Sequence, residues 1–122
     1  MRSQLEKATL FRALHERPGT FIIPNPWDAG TAKLLATMGF EALATTSLGV
    51  ANMLGRATVS IEMILQNARE IVAATGLPVS VDLENCGADT PNLAAEAIRL
   101  AAETGAVGDS IEDRSEERRV GV

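Results

Sequence analysis

Two rhythms of apolar residues alternate along the chain, one at helical spacing and one in short β-branched runs. The clearest helical stripe is Ile61, Ile64, Leu65, Ala68, Ile71 and Val72, at three- and four-residue steps, closed by Gly76 and Pro78. An earlier helix opens at Ser3, with Glu6 completing a capping box, carries Leu10, Phe11 and Leu14, and breaks at "RPG" (17–19). Asp28 reads as the cap of a helix bearing Leu34, Leu35 and Met38 and stopped by Gly39. Thr90 caps another, with Pro91 in its first position and Gly105 as terminator. Between these lie four runs that read as strands: "TFIIP" (20–24), "EALATTS" (41–47), "VSVDLEN" (79–85) and "VGDSIED" (107–113). Loop is expected after the second strand through about Ala57.

Strand–helix alternation of this kind predicts parallel βα units, in an open doubly wound sheet or a closed (β/α)8 barrel. Both gather their chemistry at the C-terminal ends of the strands. Two of the runs end there in acids. In a strand, positions i and i+2 share a face, so Asp82 and Glu84 are expected on one side, with Val79, Val81 and Leu83 on the other. Glu112 ends the neighbouring run. Carboxylates without a His or Cys cluster suit a hard cation such as Mg²⁺, with Mn²⁺ as the substitute, or else simply face water. "TTSLG" (45–49) follows the second strand, and its backbone N–H groups could grip an anion or form an ordinary turn.

Composition narrows the classes. At 122 residues, 46% hydrophobic, the chain can build one small core. A net charge of −5 and 3% aromatic residues argue against nucleic acid as a partner. No apolar run approaches the roughly 18 residues of a membrane span. The single cysteine, Cys86, fits a reducing compartment, so the expected address is the cytoplasm. Asp28 is read as a cap, His15 as a surface residue and Cys86 as incidental. A receiver-type signalling module also has an acidic Mg²⁺ pocket, but it needs a late lysine, and the only lysines are Lys7 and Lys33.

"FIIPNPWDAGTAKLLATMGFEALATTSLG", "LPVSVDLEN" and "GDSIED", in that order and spacing, resemble the isocitrate lyase/phosphoenolpyruvate mutase superfamily over residues 8 to 113. The resemblance implies a (β/α)8 TIM barrel, of which this chain supplies about the first four βα units, in a protein that forms homo-oligomers. It also implies an enzyme that binds Mg²⁺ and a small 2-oxo acid or its enolate, and makes or breaks a C–C or P–C bond. By the same resemblance Asp82 is the direct metal ligand. Glu84 and Glu112 hold metal-bound waters, Glu112 doubling as the candidate catalytic acid. Thr46, Ser47 and Leu48 bind the substrate carboxylate.

The chain departs from that pattern in two places. Many members carry an Asp shortly after the "LG" that follows the second strand, where "LGRATVS" offers Thr58. A complete barrel takes about 250 residues, so the gating loop and the arginine for the second substrate group would lie beyond these 122. Residues 1–113 are therefore expected to be the N-terminal half of the barrel. The tail "RSEERRVGV" (114–122) resembles a translated sequencing-library adapter, and without it the balance is 8 basic against 14 acidic residues. Half a barrel leaves two open sheet edges, so the isolated chain is expected to be inert, and molten or self-associating.

Overall fold

Three short parallel strands form one sheet in the order β1-β2-β3, with β1 at Leu43–Ala44, β2 at Val79–Asp82 and β3 at Gly108–Ser110. The computed structural model describes residues 1–112. Ala44, Ser80 and Gly108 stand in register across the sheet, and Asp82 pairs with Ser110. Among the described residues five helices accompany it: α1 (Gln4–Glu16), α2 (Ala29–Thr37), α3 (Ser47–Leu54), α4 (Ile61–Ala74) and α5 (Pro91–Glu103). Each begins at a polar cap (Ser3, Asp28, Thr46, Ser60 and Thr90) whose side chain accepts an N–H from the first turn. Such caps satisfy donors that have no intrahelical partner, each worth about 1 kcal/mol.

Strand alternation sends Val79, Val81 and Leu83 to the helical side, where all three are at most 1% exposed. Ile64, Leu65 and Ala68 of α4 meet Val81, Leu83 and the alanines Ala97 and Ala101 of α5. Ile71 of α4 joins Ala32, Leu43 and Val79 in a second cluster. The alternating sheet–helix order and parallel register are those of a (β/α)8 barrel cut part-way round.

Four expectations shift. Residues 20–24 form no strand: Ala44 N–H reaches the Pro24 carbonyl at 3.1 Å, and prolines at 24 and 26 have no N–H to return. The acid-tipped runs are shorter than expected, ending as regular strands at Asp82 and Ser110. The region after β1 is helical over Ser47–Leu54, because Thr46 caps it and Gly55, at φ 67°, closes it in the left-handed form. In α1 the buried residues are Lys7 and Leu14, with Phe11 half-buried between them, while Leu10 is 37% exposed. Leu34 and Met38 of α2 are likewise exposed, and Leu35 packs inward. The expectation for 114–122 lies outside the described residues, as does Asp113. Among the described residues no helix is long and apolar enough to cross a membrane.

α1 covers the opposite face of the sheet at the strands' N-terminal ends. Its Phe11 lies so close to the small-residue row that a Cβ on Gly108 would stand 2.8 Å from the ring. Lys7 Nζ donates to the Thr75 carbonyl at 3.3 Å and Arg2 to Gly76 at 3.2 Å. Gln4 donates to Ala102 and Ala106 at 2.8 and 2.9 Å. The helix thus closes one end of the sheet and leaves the other end open.

Candidate functional site

The open end is built where β1 stops and α3 begins. Thr45, buried at the end of β1, accepts the Asp82 N–H on its Oγ1 at 3.0 Å. That bond stands in for a ladder partner, since the chain has already turned away into α3. One residue on, Thr46 caps α3 by accepting the Gly49 N–H at 3.3 Å. Ser47 follows in the first helical position, 8% exposed.

Asp82 meets this helix start directly. Its Oδ2 accepts both the Ser47 N–H at 3.1 Å and the Ser47 hydroxyl at 2.9 Å, and its Oδ1 accepts the Glu84 N–H at 3.0 Å. A carboxylate at a helix N-terminus is stabilised by the unpaired amides and by the positive end of the helix dipole. The donors of "TTSLG" that meet a carboxylate here are the Ser47 N–H and hydroxyl, and the carboxylate is the chain's own.

Beyond Leu83 the strand alternation ends. Glu84 has φ 54° and Cys86 φ 66°, both in the left-handed region, so Glu84 does not simply repeat the face of Asp82 as an i+2 strand residue would. A tight turn explains the path, with Cys86 N–H on the Leu83 carbonyl at 2.7 Å and Gly87 N–H on Asn85 Oδ1 at 3.1 Å. Each such residue costs about 1 kcal/mol or more, a strain that folds tolerate mainly at functional loops. The turn brings Glu84 to a cleft of about 310 Å³ together with Ser47, Leu48 and Thr58. Glu84 also accepts, on its carbonyl, the Glu112 N–H at 2.6 Å.

The structure therefore joins Asp82, Ser47, Leu48 and Glu84 at one rim, with Thr46 next to them as the cap. Asp82 and Glu84 are half-buried rather than exposed, and Glu112 is exposed and tied to the rim through its main chain. Among the described residues no three metal-ligating side chains converge into one group. The Asp82 carboxylate is turned toward the start of α3. Asp28 is a helix cap, as its sequence position indicated, sharing a capping box with Thr31. His15 is exposed, edge-on to Phe11 and Phe21. Cys86 is buried, and burial first, then Asp109, pushes its thiol up.

Two contributors were not legible in the motifs. Thr45 was hidden as one hydroxyl among three. Trp27 was passed over for its neighbour Asp28; its indole lies against the first turn of α3, where a Cβ on Gly49 would stand 2.5 Å from the ring. Asn67 of α4 holds the Trp27 carbonyl at 2.8 Å.

Comparison with known proteins follows the same outline. The family profile described as phosphoenolpyruvate phosphomutase matches residues 11–121. An uncharacterized protein of Mycobacterium tuberculosis is 34% identical over 115 residues, covering 90% of this chain and 42% of its own length. A crystal structure from Burkholderia cenocepacia J2315, assigned as a lyase/mutase, superposes with TM-score 0.90 at 60% identity, over 93% of this chain and 41% of that one. The crystal structure of 2,3-dimethylmalate lyase, a PEP mutase/isocitrate lyase superfamily member, gives TM-score 0.78 at 28% identity, over 93% and 41%. The chain spans about two fifths of the length of these relatives, and over the superposed residues it follows the fold of the two crystal structures.

Proposed function

This chain belongs to the phosphoenolpyruvate phosphomutase family, and from that premise we propose that it is the N-terminal part of a Mg²⁺-dependent enzyme. Its substrate would be a small 2-oxo acid or the corresponding enolate, at which a C–C or P–C bond next to the oxo group is made or broken. The observation that carries this reading is the pairing of Asp82 with the α3 N-terminus, beside Glu84, on the open rim of the sheet. Lyase and mutase structures lie among its close structural relatives.

The donor set fits a hard divalent cation. It offers carboxylate and hydroxyl oxygens, and Mg²⁺ takes one or two carboxylates while keeping waters for the rest of its shell. Asp82 would hold the ion directly through Oδ1, which has accepted only one N–H. Glu84 and Glu112 would act through bound water. When bound, the cation supplies Lewis-acid stabilisation of negative charge on an enolate oxygen.

The remaining work belongs to the chain itself. Thr46 uses its hydroxyl oxygen as the helix cap, and that bond does not consume the hydroxyl proton, which can be donated to a substrate carboxylate. The Leu48 N–H lies in the first turn of α3, whose amides have no intrahelical partner, and can do the same. Leu48 itself is 68% exposed at the cleft and supplies its apolar wall.

The test is to express the protein at its relatives' full length and assay it with and without Mg²⁺ against 2-oxo acids, 2-substituted malates and a phosphonopyruvate-type substrate. Pyruvate or glyoxylate release reports C–C cleavage, and phosphorus NMR reports P–C chemistry. Metal-dependent turnover of one class supports the reading; no turnover and no cation binding overturn it. The 122 residues alone, spanning two fifths of the relatives, are expected to show none.

A further inference from the structure

We propose that the hydroxyl of Ser47 is a positioning group for Asp82. The proposal rests on the cation-binding reading above and deepens it. A serine hydroxyl carries a single proton. Here the hydroxyl donates that proton to Asp82 Oδ2, the two oxygens 2.9 Å apart, so it is engaged within the protein before any ligand arrives. The same oxygen also takes the Ser47 N–H at 3.1 Å, so one residue grips one carboxylate oxygen with two donors.

That double grip decides how Asp82 presents itself. A free aspartate rotates about two side-chain bonds, and its carboxylate can chelate with both oxygens or bind with one. With Oδ2 occupied by Ser47 and Oδ1 steadied by the Glu84 N–H at 3.0 Å, the plane of the carboxylate is set. One lone pair of Oδ1 is left for a ligand. Asp82 thus becomes a one-oxygen ligand held in advance, which suits the strict octahedron of Mg²⁺ better than the looser shell of Ca²⁺.

The grip is itself supported. Ser47 is 8% exposed and begins a helix whose cap, Thr46, is bonded to Gly49. The Trp27 ring closes against that same turn, leaving no room for a side chain at 49. Movement of the α3 start is therefore reported by Trp27, the chain's one tryptophan.

The experiment compares wild type, Ser47→Ala, Ser47→Thr and Asp82→Asn in the full-length protein, titrated with Mn²⁺. Free Mn²⁺ is counted by electron paramagnetic resonance, Trp27 emission is followed in parallel, and apo thermal unfolding is recorded for each variant. Ser47→Ala is expected to weaken Mn²⁺ binding about 10- to 100-fold, as loss of a group orienting a ligand usually does. Ser47→Thr, which keeps the hydroxyl, should recover most of that loss. An unchanged Mn²⁺ affinity in Ser47→Ala, with binding abolished by Asp82→Asn, overturns the Ser47 role alone. A lowered melting temperature with unchanged affinity overturns it too, since it marks a merely structural serine. No binding in wild type overturns this proposal together with the cation-binding reading beneath it.

Discussion

The two ends of this sheet are opposites in hydrogen-bonding chemistry. At the strands' N-terminal ends, side-chain donors meet backbone carbonyls: Lys7 on Thr75, Arg2 on Gly76, Gln4 on Ala102 and Ala106. At the C-terminal ends, side-chain acceptors meet backbone N–H groups: Thr45 on Asp82, Asp82 on Ser47 and Glu84, Thr46 on Gly49. Parallel βα topology produces this division. A helix that leads into a strand, as α4 does into β2 and α5 into β3, leaves its unpaired carbonyls at one end, and a helix that follows a strand, as α3 follows β1, leaves its unpaired amides at the other. One end calls for cations and amide donors and becomes a closed floor. The other welcomes anions, including carboxylates that can serve a metal or substrates that carry one.

The largest expected effect comes from the rim. Asp82→Asn keeps the volume and removes the charge, and in the full-length protein it should lower Mg²⁺-dependent turnover about 100-fold or more while the fold persists. Circular dichroism and steady-state rates at saturating Mg²⁺ read the two separately. Should the variant unfold instead, the rim acid would be structural and the contrast between the two ends would fail.

Gly49→Ala is expected to cost about 1–3 kcal/mol, because its Cβ would stand 2.5 Å from the Trp27 ring and 2.6 Å from Thr46. A shift in tryptophan emission should accompany the lowered melting temperature, which shows that the indole has moved. Thr45→Val is nearly isosteric, yet it strips the acceptor from the Asp82 N–H. Denaturant unfolding should show a loss of about 1–2 kcal/mol.

The floor should behave in the reverse sense. Lys7 is 4% exposed with a single carbonyl partner, and its ammonium is held below its ordinary 10.5 by burial first and Arg2 second. Between that lowered value and 10.5 the unfolded chain holds a proton that the folded chain has lost, so this group makes stability rise with pH across that window. Lys7→Met removes the buried charge, and its melting temperature should climb less than wild type's as pH approaches 10.5. Activity at neutral pH should be unaffected. An identical pH slope in both proteins would place Lys7 in solvent.

Much of this was legible because it is local. Ser3, Asp28 and Thr90 are caps that a reader can see from three or four residues of context, and all three cap as expected. Of the α4 stripe, Ile64, Leu65, Ala68 and Ile71 are buried, and Ile61 and Val72 are half-buried against the core. The ordering of strand and helix gave the parallel fold class, and the acids at strand ends gave the rim, because topology sends them there whatever the detail.

What only the tertiary structure decided is what depends on a distant partner. Nothing near Lys7 marks it as buried; its partner, the Thr75 carbonyl at the C-terminal cap of α4, lies 68 residues away. Nothing in "EALATTS" says that its strand ends at Ala44 and its Ser47 opens a helix, since β-branched and hydroxyl residues serve strands and caps equally. Above all, Asp82 could have faced water, a cation or another acid. Its burial beside an α3 amide 35 positions earlier settles which donors it meets, because a half-buried carboxylate must satisfy both oxygens from whatever the fold brings within 3 Å.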